Sequence, residues 1–147
     1  MTENTNAEAK LRAFITKLAS LEEYRVTEVS KKPQIYSING ELVNIRSRSK
    51  HRNAAYGRSF WYDISFSVLH EVKSVIYLMT ESDYFVKLPS SFLESIKDRM
   101  YLPKNKAGVG VFDIDWDNLM IVLKQGELIS IDRYYHNLIE PKCYPQF

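Results

Sequence analysis

The chain has 147 residues, 45% of them hydrophobic and 26% charged, which is the size and composition of one ordinary globular domain and suggests neither a disordered nor a membrane class. No apolar run approaches the roughly 20 residues that span a bilayer, and the opening MTENTNAEAK is polar, so no membrane segment or secretion signal is expected and the expected location is the cytoplasm. The formal charge of +2 conceals an asymmetry, because residues 30–58 carry +6 and the remainder −4. Charge this uneven speaks about partners rather than about fold.

Residues 1–6 are expected to be a disordered start and 140–147 a tail on a single domain of 1–147. Leu11, Phe14, Ile15, Leu18 and Leu21 recur at helical spacing, with Thr5 and Glu8 at capping-box spacing ahead of them. Tyr24 to Val29 alternates as a strand that Lys31-Lys32-Pro33 ends. Ile35 to Ile38, then Asn39-Gly40, then Glu41 to Arg48 predicts a two-residue hairpin, since this residue pair suits the type I′ turn. Alternation then puts Tyr36, Ile38, Val43 and Ile45 over the core, with Arg46 and Arg48 pointing to solvent or a partner.

Residues 49–58 predict a loop, followed by a strand over Ser59 to Phe66, with Phe60 and Tyr62 on one face and Trp61 and Asp63 on the other. Ser67 is expected to cap a short helix through Val72. Val75 to Met79, continuously apolar, predicts a central strand, and Tyr84 to Leu88 another. Ser91 and Glu94 predict a capped helix toward Met100. Val111 to Trp116, Leu119 to Leu123 and Leu128 to Ile131 predict a meander, and Asp132 a final helix through Ile139. The predicted class is α+β, with a mixed or antiparallel sheet and N-terminal, central and short C-terminal helices.

Catalytic signals are sparse. Asp63, Glu71 and Lys73 have the residue types of a Mg²⁺-dependent nuclease site, in which carboxylates hold the ion and a lysine orients water. Their spacing suits surface residues ahead of a core strand better. Asp113, Asp115 and Asp117 begin like a calcium loop, but Asn118 stands where glycine belongs and Lys124 where the closing glutamate belongs. They read as strand and turn acids. His51, His70 and His136 show no metal-ligand spacing, and the single cysteine, Cys143, excludes an internal disulfide and a multi-thiolate zinc site. No cofactor is expected.

The basic segment is the strongest signal. Lys31, Lys32, Arg46, Arg48, Lys50, Arg52 and Arg58, with Trp61 close by, supply cations for phosphates and a ring for a base. The order helix, strand, Asn39-Gly40 hairpin, strand, Val75 strand resembles the core of restriction-endonuclease-like domains of bacterial defence systems. That family carries an acid and then an acid-x-lysine triplet on the hairpin, where this chain has Ser37 to Glu41 and Asn44-Ile45-Arg46. The resemblance therefore implies a DNA-binding relative that has lost cleavage. The expected function is non-enzymatic nucleic-acid binding, DNA ahead of RNA. A Mg²⁺-dependent nuclease and a protein-interaction module, either inhibitor or adaptor, are the alternatives.

Overall fold

A computed structural model of the chain describes residues 3–29, 34–47, 59–79 and 83–147, and the side chains of all of these except 3–7 and 59–61. Among the described residues, ten strands form two sheets. Strands β1 (Val26–Glu28), β2 (Ile35–Ile38), β3 (Glu41–Arg46), β5 (Ser74–Leu78), β6 (Tyr84–Pro89) and β10 (Tyr135–Asn137) make a mixed sheet in the order β1-β2-β3-β5-β6-β10. Strands β4 (Ser59–Ser65), β7 (Val109–Asp115), β8 (Met120–Val122) and β9 (Leu128–Ser130) make an antiparallel sheet in the order β4-β7-β8-β9. Helix α1 spans Glu3–Ser20 and α2 spans Ser90–Ile96. The class is α+β.

The apolar run at Val75 forms the central strand, and the only parallel pairing in the large sheet is the one it makes with β3. Both of its faces are covered, which is why it does not alternate. Ile76 and Leu78 join Val43, Ile45, Ile38 and Phe85 beneath Leu11, Phe14 and Leu18 of α1. Val75 and Tyr77 join Ile35, Val86 and Leu88 on the opposite face, against Tyr62, Ile64, Phe112 and Ile114 of the second sheet. Tyr77 sits between Tyr62 and Phe112, edge-on to each at 5.1 and 5.3 Å. The molecule is thus three layers: α1, the six-stranded sheet, and the four-stranded sheet with α2.

This layering corrects the expected orientation of the hairpin. Tyr36, Ile38, Val43 and Ile45 do share the helix-facing side. The other side faces the second sheet, so Asn44 is buried and Arg46 half-buried. A hairpin on its own has one covered face; parallel pairing with a central strand gave this one two.

Four helix expectations also differ from what forms. Helix α1 begins at Glu3, so Thr5 lies within it and residues 3–6 are helical. The element after Ser67 is a single 3-10 turn, Val68–His70, without a side-chain cap. Helix α2 starts directly after Pro89, whose φ of −58° suits a helix entry, so Ser91 caps nothing. Residues 132–139 contain no α-helix: after a 3-10 turn at Asp132–Tyr134, Tyr135–Asn137 pairs with β6. Tyr135 suits a strand, and the edge of β6 supplied the hydrogen bonds.

Candidate nucleic-acid interface

Because β2 and β3 form a tight hairpin, Ile35 and Asn44 stand opposite each other, and the chain enters at Gln34 beside where it leaves at Ser47. The parallel strand β5 ends at the same end of the sheet, since Arg46 pairs with Tyr77. Sequence segments 30–33 and 48–58 therefore both join the fold here. We call this the open end of the hairpin, and the Asn39-Gly40 turn its closed end.

Gln34 organises the open end. Its φ of 68° lies in the left-handed region, where a non-glycine residue is held only if its surroundings over-determine it. They do. Its carbonyl accepts from Ile45 N–H at 2.9 Å and from Asn44 Nδ2 at 3.2 Å, and its Oε1 accepts from Arg46 Nη1 at 3.1 Å. The other terminal guanidinium nitrogen of Arg46, Nη2, donates to Asp63 Oδ1 on β4, the edge strand of the second sheet. Arg46 thereby ties the two sheets together. Beneath it Tyr77 donates to the Asp63 carbonyl at 3.4 Å, and burial, ahead of the smaller opposing pull of Arg46, raises the Tyr77 hydroxyl far above its ordinary pKa.

Two polar atoms at this end have no hydrogen-bond partner among the described residues. Asn44 Oδ1 and Ser47 Oγ are buried, and each such group costs about 1–3 kcal/mol relative to being paired.

Of the residues expected to bind nucleic acid, Arg46 is described in full and is committed to Asp63 and Gln34. Trp61 stands on β4 opposite Asp113; its side chain, and Lys31, Lys32, Arg48, Lys50, Arg52 and Arg58, lie outside the described residues. The three residues of the nuclease alternative are not brought together. Asp63 is engaged with Arg46, whereas Lys73 adjoins the start of β5, where its N–H donates to Leu42 O at 2.9 Å. That is the end of the strand away from Arg46. Glu71 is exposed, and among the described residues no three His, Cys, Asp or Glu side chains are arranged to hold a metal ion.

The aspartates of β7 are buried rather than solvated, at 7% exposure for Asp113 and 6% for Asp115. Asp115 builds the β7–β8 turn: its carboxylate accepts from the N–H of Asp117 at 3.1 Å and from Nδ2 of Asn118 at 2.8 Å, beside Leu119 at φ 52°. Asp113 is pushed up to about 6 by burial. His136 is held below its ordinary value, chiefly by burial, while its Nδ1 lies 3.2 Å from the Cys143 carbonyl.

No protein family, curated protein or solved structure matches this chain.

Sequence reasoning missed a second polar group on β3, at the closed end. Glu41 accepts from Lys87 Nζ and Ser74 Oγ, each at 3.1 Å. The Glu41 and Lys87 side chains are only 10% and 16% exposed, and the Phe147 ring lies 4.7 Å from Lys87 Nζ. Lys87 stands on an otherwise apolar strand, which was the available signal; finding its partner required the pairing of β6 with β5.

Proposed function

We propose that the chain is a non-enzymatic nucleic-acid-binding module, with duplex DNA its preferred partner, acting in a bacterial or phage defence setting. The observation that carries this reading is that Gln34 and Ser47, from which the two basic segments depart, lie at one end of the sheet. Lys31 and Lys32 precede Gln34, while Arg48, Lys50 and Arg52 follow Ser47, and those junctions are neighbours across the hairpin. Lysines and arginines departing from neighbouring junctions can supply the positive footprint that phosphates require. The resemblance to restriction-endonuclease-like domains supports the setting and the loss of cleavage.

Arg46 has a different role in this reading. It fixes the end of β3 from which the basic segment departs, while the cations beyond it meet phosphate. The commitment of Asp63 to Arg46 favours binding over Mg²⁺-dependent cleavage, because a carboxylate already paired with a guanidinium is poorly disposed to ligate an ion. Among the described residues no helix is long and apolar enough to cross a membrane.

Fluorescence anisotropy with a labelled duplex, a single strand and an RNA tests the reading. Duplex affinity is expected to fall steeply between about 50 and 200 mM salt, the logarithmic slope gaining about 0.9 for each phosphate neutralised. Absence of binding to all three, or tight binding indifferent to salt, would overturn it.

A further inference from the structure

On the helix side of the sheet, a cleft of about 160 Å³ opens between α1 and the ends of β5, β6 and β10. Its walls follow from helical spacing: Lys10, Ala13, Phe14 and Lys17 present one flank of α1 toward Leu78, Asp83, Tyr84 and Leu138. The space exists because Ala13, the smallest of these helix residues, stands between two lysines. Phe14 is fixed edge-on to Phe85 at 5.0 Å, so the floor is a rigid apolar surface. An empty apolar cavity of about 150 Å³ takes up a benzene ring, which sets the size of the body this cleft accommodates.

The rim sets the charge. Lys17 Nζ lies 3.9 Å from Asp83 Oδ2, with both side chains substantially exposed, and the two charges cancel. Lys10 is half-buried and forms no ion pair with any described residue. Among the described residues the rim therefore carries one uncompensated positive charge above an apolar floor. A cation would be repelled by Lys10. We propose that this cleft binds a small monocyclic carboxylate, its ring against Phe14, Leu78 and Leu138 and its carboxylate at Lys10. Such binding is independent of the nucleic-acid reading, and either can fail without the other.

Benzoate is the probe, with benzyl alcohol and benzylamine as uncharged and cationic controls, followed by two-dimensional amide NMR at constant ionic strength. Benzoate is expected to shift the signals of Phe14, Leu78, Tyr84 and Leu138 saturably, with a Kd on the order of 1 mM for a ligand this small. Benzyl alcohol should bind about fivefold more weakly and benzylamine not at all, since an exposed charge interaction contributes a factor of about five. Lys10→Ala should remove that fivefold advantage while leaving benzyl alcohol unaffected. Ala13→Leu should abolish binding of both by filling the cleft. The proposal is overturned if benzoate leaves these four signals unmoved, if benzylamine binds as well as benzoate, or if Lys10→Ala does not change benzoate affinity. Lys10→Ala changes a helix-surface side chain, so that outcome can be read even if Ala13→Leu perturbs folding.

Discussion

At the closed end of the β2–β3 hairpin, Asn39 and Gly40 turn the chain with φ values of 53° and 85°, and the Asn39 side chain joins the hairpin to the preceding segment through Arg25 N–H at 2.8 Å and Glu23 O at 2.9 Å. Glu41, the first residue of β3, is enclosed with Lys87 and Ser74. Five residues along the same strand, Arg46 forms the other ion pair, but its side chain and that of Asp63 are 29% and 33% exposed, and Asn44 Oδ1 and Ser47 Oγ nearby lack partners among the described residues. One strand thus begins in a closed, satisfied environment and ends in a strained, incompletely satisfied one. Incomplete satisfaction costs stability.

The largest effect that distinguishes the two ends concerns the enclosed pair. Lys87→Ala leaves Glu41 buried without its cation and should destabilise the protein by about 3 kcal/mol, near the lower limit for breaking a buried ion pair. Arg46→Ala, at the more exposed pair, should cost about 1–2 kcal/mol. Denaturant titration of both variants measures the difference, and equal losses would erase the contrast.

Gly40→Ala comes next. The added methyl group meets open space, so its cost is purely conformational, about 1 kcal/mol or somewhat more for a left-handed alanine. An unchanged melting temperature would remove the turn from the account.

Asn44→Val tests the open end with the opposite sign. The substitution deletes the orphaned Oδ1 and adds a β-branched residue to a strand, while Gln34 O keeps its bond from Ile45 N–H. Stability should rise by about 1 kcal/mol. A loss of that size would show that Asn44 is better satisfied than its surroundings indicate.

A further contrast is a pH slope from the second sheet. Burial lifts Asp113 from 3.8 to about 6, so between those values the folded chain keeps a proton that the unfolded chain has released. Stability should decline as pH rises through that window and level off above it. Asp113→Asn, which mimics the protonated side chain, should flatten the slope and be more stable than wild type at pH 7. Thermal melts from pH 4 to pH 7 would reveal it, and an unaltered profile in the variant would assign the slope elsewhere.

Local signals carried much of the fold. Asn39-Gly40 encodes its own turn, the spacing of Leu11, Phe14 and Leu18 encodes the buried stripe of α1, and the unbroken apolar run at Val75 encodes a strand covered on both sides. What covers each face was not legible. Arg46 looks outward on an isolated hairpin and becomes half-buried only because β4, in a different sheet, lies across it. The same limitation hid the strand at Tyr135, whose few residues follow a plausible helix cap at Asp132 and are extended by pairing with β6. For the candidate site, the charge of segments 30–33 and 48–58 was visible from composition. Their entry at a common end followed from the hairpin register, and the commitment of Arg46 to Asp63 from tertiary packing alone.

The most direct test of the central claim compares two variants in one salt titration on duplex DNA. Replacing Lys31, Lys32, Arg48, Lys50 and Arg52 together by alanine should weaken binding and make the logarithmic salt slope shallower by about 0.9 for each phosphate no longer neutralised, with the melting temperature nearly unchanged. Arg46→Ala should lower the melting temperature and leave the slope as it was. A five-residue variant that retains wild-type affinity and slope, or an Arg46→Ala variant that alone flattens the slope, would contradict the division of labour between the basic segments and the residue that anchors them.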